Sequence, residues 1–170
     1  MRYRRRKLSL SIRRTGTKNR MNSLDEAFGQ ACARFNGDNF GQLDEVEKIL
    51  VAIWGLQADV NNGGFDQYYF NGSGDLAFYA PHALQSIGAH QMANIVASAN
   101  QVFGPDGPSQ DGRARQAQLF LIAPNNVDMP SPWEQLDRAF YAYPDDIATL
   151  LSTFLRATGL RGADSTDHLT

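Results

Sequence analysis

The side chains best suited to chemistry in this 170-residue chain are three histidines and one cysteine. His82 and His90 stand eight residues apart, which does not match the i, i+4 spacing that places two metal ligands on one helix face. Cys32 has no second cysteine to pair with, and its apolar helical neighbours predict burial rather than nucleophilic reactivity. The sequence contains neither a cysteine cluster nor an HExxH motif. We therefore expect no metal site, no cofactor and no enzymatic activity.

The most unusual stretch is 60–75, VNNGGFDQYYFNGSGD, in which two groups of Asn and Gly bracket four aromatic residues. One interpretation is a small-molecule-binding or enzymatic domain with a polar pocket lined by Asn61, Asn62, Asp66, Gln67, Tyr68, Tyr69 and Asn71. The other interpretation is structural: Asn and Gly end a helix, while Phe65 and Phe70 fill the core. We favour the structural interpretation because Gly and Asn at a helix end already have a sufficient physical explanation.

Charge is distributed unevenly along the chain. Residues 1–20 hold nine of the 16 basic residues and no acidic residue. Residues 21–170 hold all 18 acidic residues beside seven basic ones, so this part carries a net charge of −11 where the whole chain carries −2. This split is the most informative feature of the composition.

The basic segment 1–20 has few large apolar residues and no helical period, which predicts a disordered extension. Nucleic-acid binding, if present at all, is expected only through this segment. Two alternatives stay open: an upstream extension that precedes a true start at Met21, or a solvated tail that folds back on the acidic body.

The elements that position these residues are helices. Apolar residues recur at helical spacing, most clearly in the stripe formed by Leu43, Val46, Leu50, Ile53, Trp54, Gln57 and Val60. We predict a single all-α domain over 21–158, with about seven or eight helices, no significant sheet and a frayed tail over 159–170. The first helix is expected to begin at a capping box made by Ser23 and Glu26, and a later one at Ser131 and Glu134.

Nothing in the sequence predicts a membrane protein. The longest apolar run, Ile49–Trp54, is far too short to cross a bilayer. A single cysteine suits a reducing compartment. We expect a cytoplasmic protein with no membrane contact.

The order of motifs along the chain resembles a known family. An amphipathic helix with Leu50, Trp54 and Leu56 leads into the stretch 60–75. Further along follow the short motifs Ala83-Leu84, Ile87-Gly88-Ala89, Leu136-Asp137 and Phe140-Tyr141. This pattern, over roughly residues 40–158, is similar to the bacterial DNA-mimic protein family. The core of the resemblance is formed by Asn61, Asn62, Gly63, Gly64, Phe65, Gln67, Tyr69, Asn71 and Gly74.

The resemblance implies an all-helical fold and a non-catalytic role in binding proteins. An acidic helical surface would occupy the DNA-binding face of a basic DNA-binding protein such as a transcriptional regulator. It also implies that two copies can pair as a homodimer.

Helices are suited to such mimicry because residues three or four apart have Cβ atoms about 5–6 Å from one another, while B-DNA carries one negative charge per ~1.7 Å of axis. We expect the partner-binding surface to be formed by Asp44, Glu45, Glu47, Asp59, Glu134, Asp137, Asp145 and Asp146. An ordinary solvated acidic surface is the alternative.

Overall fold

Seven α-helices and two short 3₁₀ helices make up the described part of the chain. The structure is a computed structural model that describes residues 18–123 and 130–159, and no strand occurs in these ranges. The helices are α1 (Lys18–Arg34), α2 (Glu45–Phe70), α3 (Ala80–Ser86), α4 (His90–Gln101), α5 (Gly112–Ile122), α6 (Glu134–Tyr141) and α7 (Ile147–Ala157), with 3₁₀ helices at Phe40–Gln42 and Gly72–Leu76. The predicted all-α fold is confirmed. The predictions for 1–17 and 160–170 lie outside the described residues.

Helix α2 is the central element, and α1, α3, α5 and α6 all pack against it. Leu50, Ile53 and Val60, from the predicted apolar stripe, are buried. The helix begins with a capping box in which Asp44 Oδ1 accepts the Glu47 N–H at 2.8 Å and Glu47 Oε2 accepts the Asp44 N–H at 3.1 Å. This reciprocal pair satisfies two donors at the helix start, where no intrahelical partner exists.

Trp54 departs from the predicted stripe, since 49% of its surface is exposed. Its ring packs against Phe28 of α1, with ring centroids 5.2 Å apart. Trp54 therefore lies at the edge of the buried face, where α1 covers one side of the indole and leaves the other open.

Helix α1 already includes Lys18, so the predicted start after a capping Ser23 is wrong. The backbone of 18–20, at the end of the segment predicted to be disordered, is helical. Lys, Arg and Met are good helix formers. A helix anchored by buried Leu24, Phe28 and Ala31 can therefore extend through them.

The second half of α2 carries aromatic rings into the core. Tyr69 is fully buried, and its ring centroid lies 4.7 Å from Phe103 and 5.3 Å from Trp133. The indole Nε1–H of Trp133 donates to the Ala99 carbonyl at 3.0 Å. This cluster joins α2 to the end of α4 and the start of α6.

The start of α6 differs from the predicted capping box. The helix begins at Glu134, and Ser131 Oγ accepts the Trp133 N–H at 3.2 Å instead of capping a later donor. The same hydroxyl donates to Asp66 Oδ2 at 2.8 Å. Ser131 thus ties the start of α6 to the end of α2.

Arg115 of α5 is a fully buried guanidinium that the sequence pattern does not single out. Its Nε–H donates to the Tyr69 carbonyl at 2.7 Å, and its Nη2 donates to the Asn71 carbonyl at 3.0 Å. Nη2 also forms an ion pair with Asp75 Oδ1 at 2.6 Å, and Nη1 donates to the Ser109 carbonyl at 2.7 Å. One side chain thereby satisfies carbonyls at the end of α2 and in the loop before α5.

None of the helices in the described part of the chain combines the length and apolar character needed to span a bilayer.

We predict that Arg115→Met lowers the free energy of unfolding by about 3–5 kcal/mol, because it leaves Asp75 and several carbonyls without their charged donor. Urea denaturation followed by circular dichroism measures this change. Arg113→Met, at an exposed position of the same helix, is the matched control and should change the value by no more than about 0.5 kcal/mol. Equal effects of the two substitutions would contradict a special role for Arg115.

Candidate protein-binding surface

The stretch 60–75 forms a break in α2 and the turn that follows the helix. At the break, Gly63 has φ −166° and ψ 25°, and Gly64 has φ 74° and ψ −173°. Gly64 needs to be glycine for two reasons: its φ is positive, and a Cβ there would lie 2.8 Å from Asp137 Oδ2. The predicted end of the regular helix at Asn61–Gly64 is therefore present, although α2 resumes directly afterwards.

The chain from α6 onward satisfies the backbone and side-chain groups around this break. Asp137 Oδ1 accepts the Phe65 N–H at 2.8 Å, at the start of the second half of α2. The Tyr141 hydroxyl donates to the Val60 carbonyl at 2.8 Å, at the end of the first half. Tyr143, just after α6, donates its hydroxyl to Asn61 Oδ1 at 2.6 Å. A break inside a helix leaves unpaired donors and acceptors, and these contacts pair several of them.

The polar side chains of the stretch bond mainly to one another. Asp59 accepts hydrogen bonds from Gln67 Nε2 at 3.2 Å, from Asn71 Nδ2 at 2.8 Å and from the Ser73 hydroxyl. Asn62 Nδ2 donates to Gln67 Oε1 at 3.1 Å. This network holds the two sides of the break and the following turn together.

The remaining motif residues fill space in the core. Phe65 and Tyr69 are fully buried, and the Tyr69 hydroxyl donates to Asn100 Oδ1 at 2.8 Å. Gly74 is also buried, and a Cβ on it would lie 2.7 Å from Arg115 Nε. Each residue of the family motif therefore has a structural role.

The contacts argue against the pocket interpretation of this stretch. Tyr68 is fully buried, and its hydroxyl has no hydrogen-bond partner among the described residues. It therefore does not line an open cavity. Within 18–123 and 130–159, no group of three His, Cys, Asp or Glu side chains is placed to hold a metal ion.

The eight acidic residues of the predicted partner-binding surface fall into three groups. The first group caps helix starts. Asp44 caps α2, and Asp146 caps α7 by accepting the Thr149 N–H at 3.1 Å. Asp145 accepts the Met92 N–H of α4 at 2.8 Å, and Asp137 accepts from the second half of α2. Carboxylates are favourable there because the positive end of the helix dipole faces them.

The second group is committed to internal contacts. Glu47 is buried and forms an ion pair with Arg34 at 2.5 Å, so its prediction as a surface carboxylate is wrong. The periodicity alone does not reveal this, because the capping box turns the side chain back toward the helix start. Asp59 is half-buried and accepts the three bonds of the network described above.

The third group consists of Glu45 and Glu134, whose side chains are 58% and 48% exposed. Glu45 accepts a hydrogen bond from the Tyr79 hydroxyl, and Glu134 forms an i, i+4 ion pair with Arg138. The structure therefore distributes the eight carboxylates over several helices and does not gather them on one helix face.

Asp137 has a distinctive electrostatic environment. Partial burial raises the pKa of its carboxyl above the usual range, the Phe65 N–H opposes this shift, and the nearby Asp66 adds to it. Asp137 thus accepts a backbone hydrogen bond while its ionised form is disfavoured.

The fold and the stretch 60–75 define a class: an all-α domain built around a broken central helix. Residues 41–158 match the family model described as DMP19-like protein, so the chain belongs to the DMP19-like family, a family of DNA-mimic proteins. The family resemblance noted in the sequence is thereby confirmed. No curated protein and no solved structure gives a significant match to the chain.

We predict that Gly64→Ala destabilises the protein by about 1–3 kcal/mol, because alanine is strained at positive φ and its Cβ would contact the Asp137 carboxylate. Thermal and urea unfolding measure the effect. Gly72→Ala is the control, since a Cβ there meets no heavy atom within 4 Å and φ is not positive. A tolerated alanine at 64 would show that the break does not require glycine.

The raised pKa of Asp137 leads to a pH-dependent prediction. Because the folded state disfavours its ionised form, the contribution of Asp137 to stability is full below the unfolded pKa of about 3.9 and falls as the pH rises through the higher folded pKa. Asp137→Asn keeps an acceptor for the Phe65 N–H but does not ionise. We expect this variant to gain stability relative to the parent as the pH rises above about 4, as measured by urea denaturation. A constant or falling difference would contradict the raised pKa.

Proposed function

We propose that the protein is a DNA mimic that binds the DNA-binding face of a basic DNA-binding protein, such as a transcriptional regulator. It acts by binding rather than by catalysis, needs no cofactor, and works in the cytoplasm, where such partners are found. The observation that carries this proposal is the family match over 41–158. The remaining support comes from the charge and rigidity of the described residues.

The charge of the matched segment supports an acidic binding surface. Among its described residues, eleven Asp and Glu side chains are exposed or half-exposed, against four Lys and Arg side chains. Burial of Arg115 adds to this excess by removing one cation from the surface. A surface excess of one charge sign attracts a partner of the opposite sign and raises the association rate.

The capping hydrogen bonds support the rigidity that mimicry needs. Asp44 and Asp146 are exposed, yet each side chain is held by a backbone N–H of its helix. The Tyr79 hydroxyl holds Glu45 in a similar way. A carboxylate that is already held in place loses little conformational entropy when it binds a partner. A phosphate group on a rigid duplex likewise loses little conformational entropy on binding. Carboxylates held in this way are suited to replacing phosphates in contacts with Lys and Arg.

The proposal includes pairing of two copies as a homodimer. Phe120 and Leu121, near the end of α5, are both exposed apolar side chains. A paired copy would bury apolar surface of this kind.

The test uses the full chain, immobilised, with a bacterial cell lysate. Each retained protein is purified and bound to a labelled duplex, and the free chain is then added. We expect the chain to release the duplex, and we expect its own binding to weaken as salt rises. Retention of no DNA-binding protein, or retention without release of the duplex, would contradict mimicry.

A charge-matched pair of variants tests whether a particular carboxylate matters. Glu134→Gln removes an exposed carboxylate from the predicted surface and should weaken partner binding about twofold to fivefold. Gln135→Lys, at the next and also exposed position, changes the net charge equally but keeps Glu134. If both variants weaken binding to the same extent, only net charge contributes.

A further inference from the structure

Three aromatic rings lie together at the surface, where the segment before α2 meets the segment before α3. The ring centroid of Phe40 is 5.1 Å from that of Tyr79 and 6.2 Å from that of Phe78. The centroids of Phe78 and Tyr79 are also 6.2 Å apart. Phe40 and Tyr79 are half-buried, while Phe78 is 48% exposed. We call these three residues the aromatic cluster. Contiguous exposed rings of this kind are common at recognition surfaces.

A carboxylate is fixed beside the aromatic cluster. Glu45, the first residue of α2, accepts a hydrogen bond from the Tyr79 hydroxyl and leaves 58% of its side chain exposed. This hydrogen bond lowers the pKa of Glu45, so the side chain stays ionised at neutral pH. Glu45 also forms an i, i+3 ion pair with Lys48 Nζ at 3.6 Å and lies 3.5 Å from His82 Nε2, and both contacts are longer than ordinary charge-assisted hydrogen bonds. The carboxylate therefore remains able to accept a new donor.

We propose that Glu45 and the aromatic cluster form a binding site for an arginine side chain of the basic partner. This inference rests on the proposed function and names the part of the surface that recognises the partner. A guanidinium is planar and carries its donors in a fork, so it can stack on a ring while it donates to a carboxylate. A lysine ammonium is a compact, strongly hydrated point charge and gains less from the ring faces.

The chemistry of the site also fits the way in which arginine binds DNA. Arginines of DNA-binding proteins contact phosphate oxygens and the edges of bases in the grooves. Here Glu45 would take the place of a phosphate, and the aromatic cluster, whose Tyr79 hydroxyl donates to Glu45, offers ring surface next to it. One site thereby presents both kinds of group that an arginine meets on a duplex.

The negative charge of this site favours a cationic side chain over a nucleic-acid base. A base stacked on Phe78 would bring its phosphate close to the charged Glu45. The exposed carboxylate Asp44 directly precedes Glu45 in the chain and adds to the repulsion. A purely apolar segment would desolvate the exposed part of the Glu45 carboxylate without supplying a new donor, which is costly. An arginine side chain can stack on the rings and donate hydrogen bonds to the carboxylate at the same time.

The test compares two labelled peptides of equal length, one of arginine and one of lysine, by fluorescence anisotropy with the full chain. We expect the arginine peptide to bind about fivefold to tenfold more tightly. Phe78→Ala should remove most of this preference, and Glu45→Gln should weaken binding of the arginine peptide. Tyr79→Phe keeps the ring but releases Glu45, so Tyr79 is a positioning residue and its variant should show an intermediate loss.

Two control variants make the test specific. Phe70→Ala removes another exposed phenylalanine, at the end of α2, which contributes nothing to the aromatic cluster. Asp106→Asn removes one exposed carboxylate from the loop before α5. Both should keep the preference for arginine, and circular dichroism checks that every variant is folded. The proposed site would be overturned if the two peptides bound equally tightly. It would also be overturned if the control variants lost the preference for arginine to the same extent as Phe78→Ala and Glu45→Gln.

The duplex-release assay separates this inference from the proposed function. If Phe78→Ala and Glu45→Gln release the duplex as well as the parent chain does, the protein is a DNA mimic that binds through another surface, and the arginine site is overturned. If the chain prefers the arginine peptide through Phe78 and Glu45 but releases no duplex, the arginine site stands and the proposed function is wrong.

Discussion

The structure depends on pairing the backbone groups that α2 leaves without partners at its break and at its end. A helix that stops in the interior leaves N–H and C=O groups that water cannot reach. At the break, Asp137 and Tyr141 from α6 supply the missing acceptor and donor. At the end, the Arg115 guanidinium reaches the carbonyls of Tyr69 and Asn71. These requirements fix where α5 and α6 lie against α2, because a polar atom must arrive within hydrogen-bond distance.

The same constraint governs the acidic residues. A carboxylate near a helix start is attracted by unpaired N–H groups and by the helix dipole. Asp44, Glu47, Asp137, Asp145 and Asp146 all accept such a backbone donor, so five of the eight predicted binding carboxylates also stabilise the fold. A carboxylate that stabilises the fold can also contribute its charge to the surface. An exposed capping aspartate still carries its charge, and the cap holds it in one position.

The aromatic residues divide in a similar way between core and surface. Rings from the second half of α2 pack with Trp133 and Phe103 in the interior. Phe78 belongs to a second group, which borders solvent beside a carboxylate held by a neighbouring hydroxyl. Helix-end carboxylates and exposed rings therefore occur together on one all-α frame.

The sequence by itself determined the helical class, the break near Gly64 and the burial of the stripe through Leu50, Ile53 and Val60, because periodicity and glycine chemistry are local properties. Only the tertiary structure decided that Arg115 is buried, that Glu47 points inward and that Tyr79 holds Glu45. Each of these depends on which residue, far along the chain, comes within hydrogen-bond distance. An arginine in an amphipathic helix has the same local pattern whether its guanidinium meets solvent or the open end of another helix.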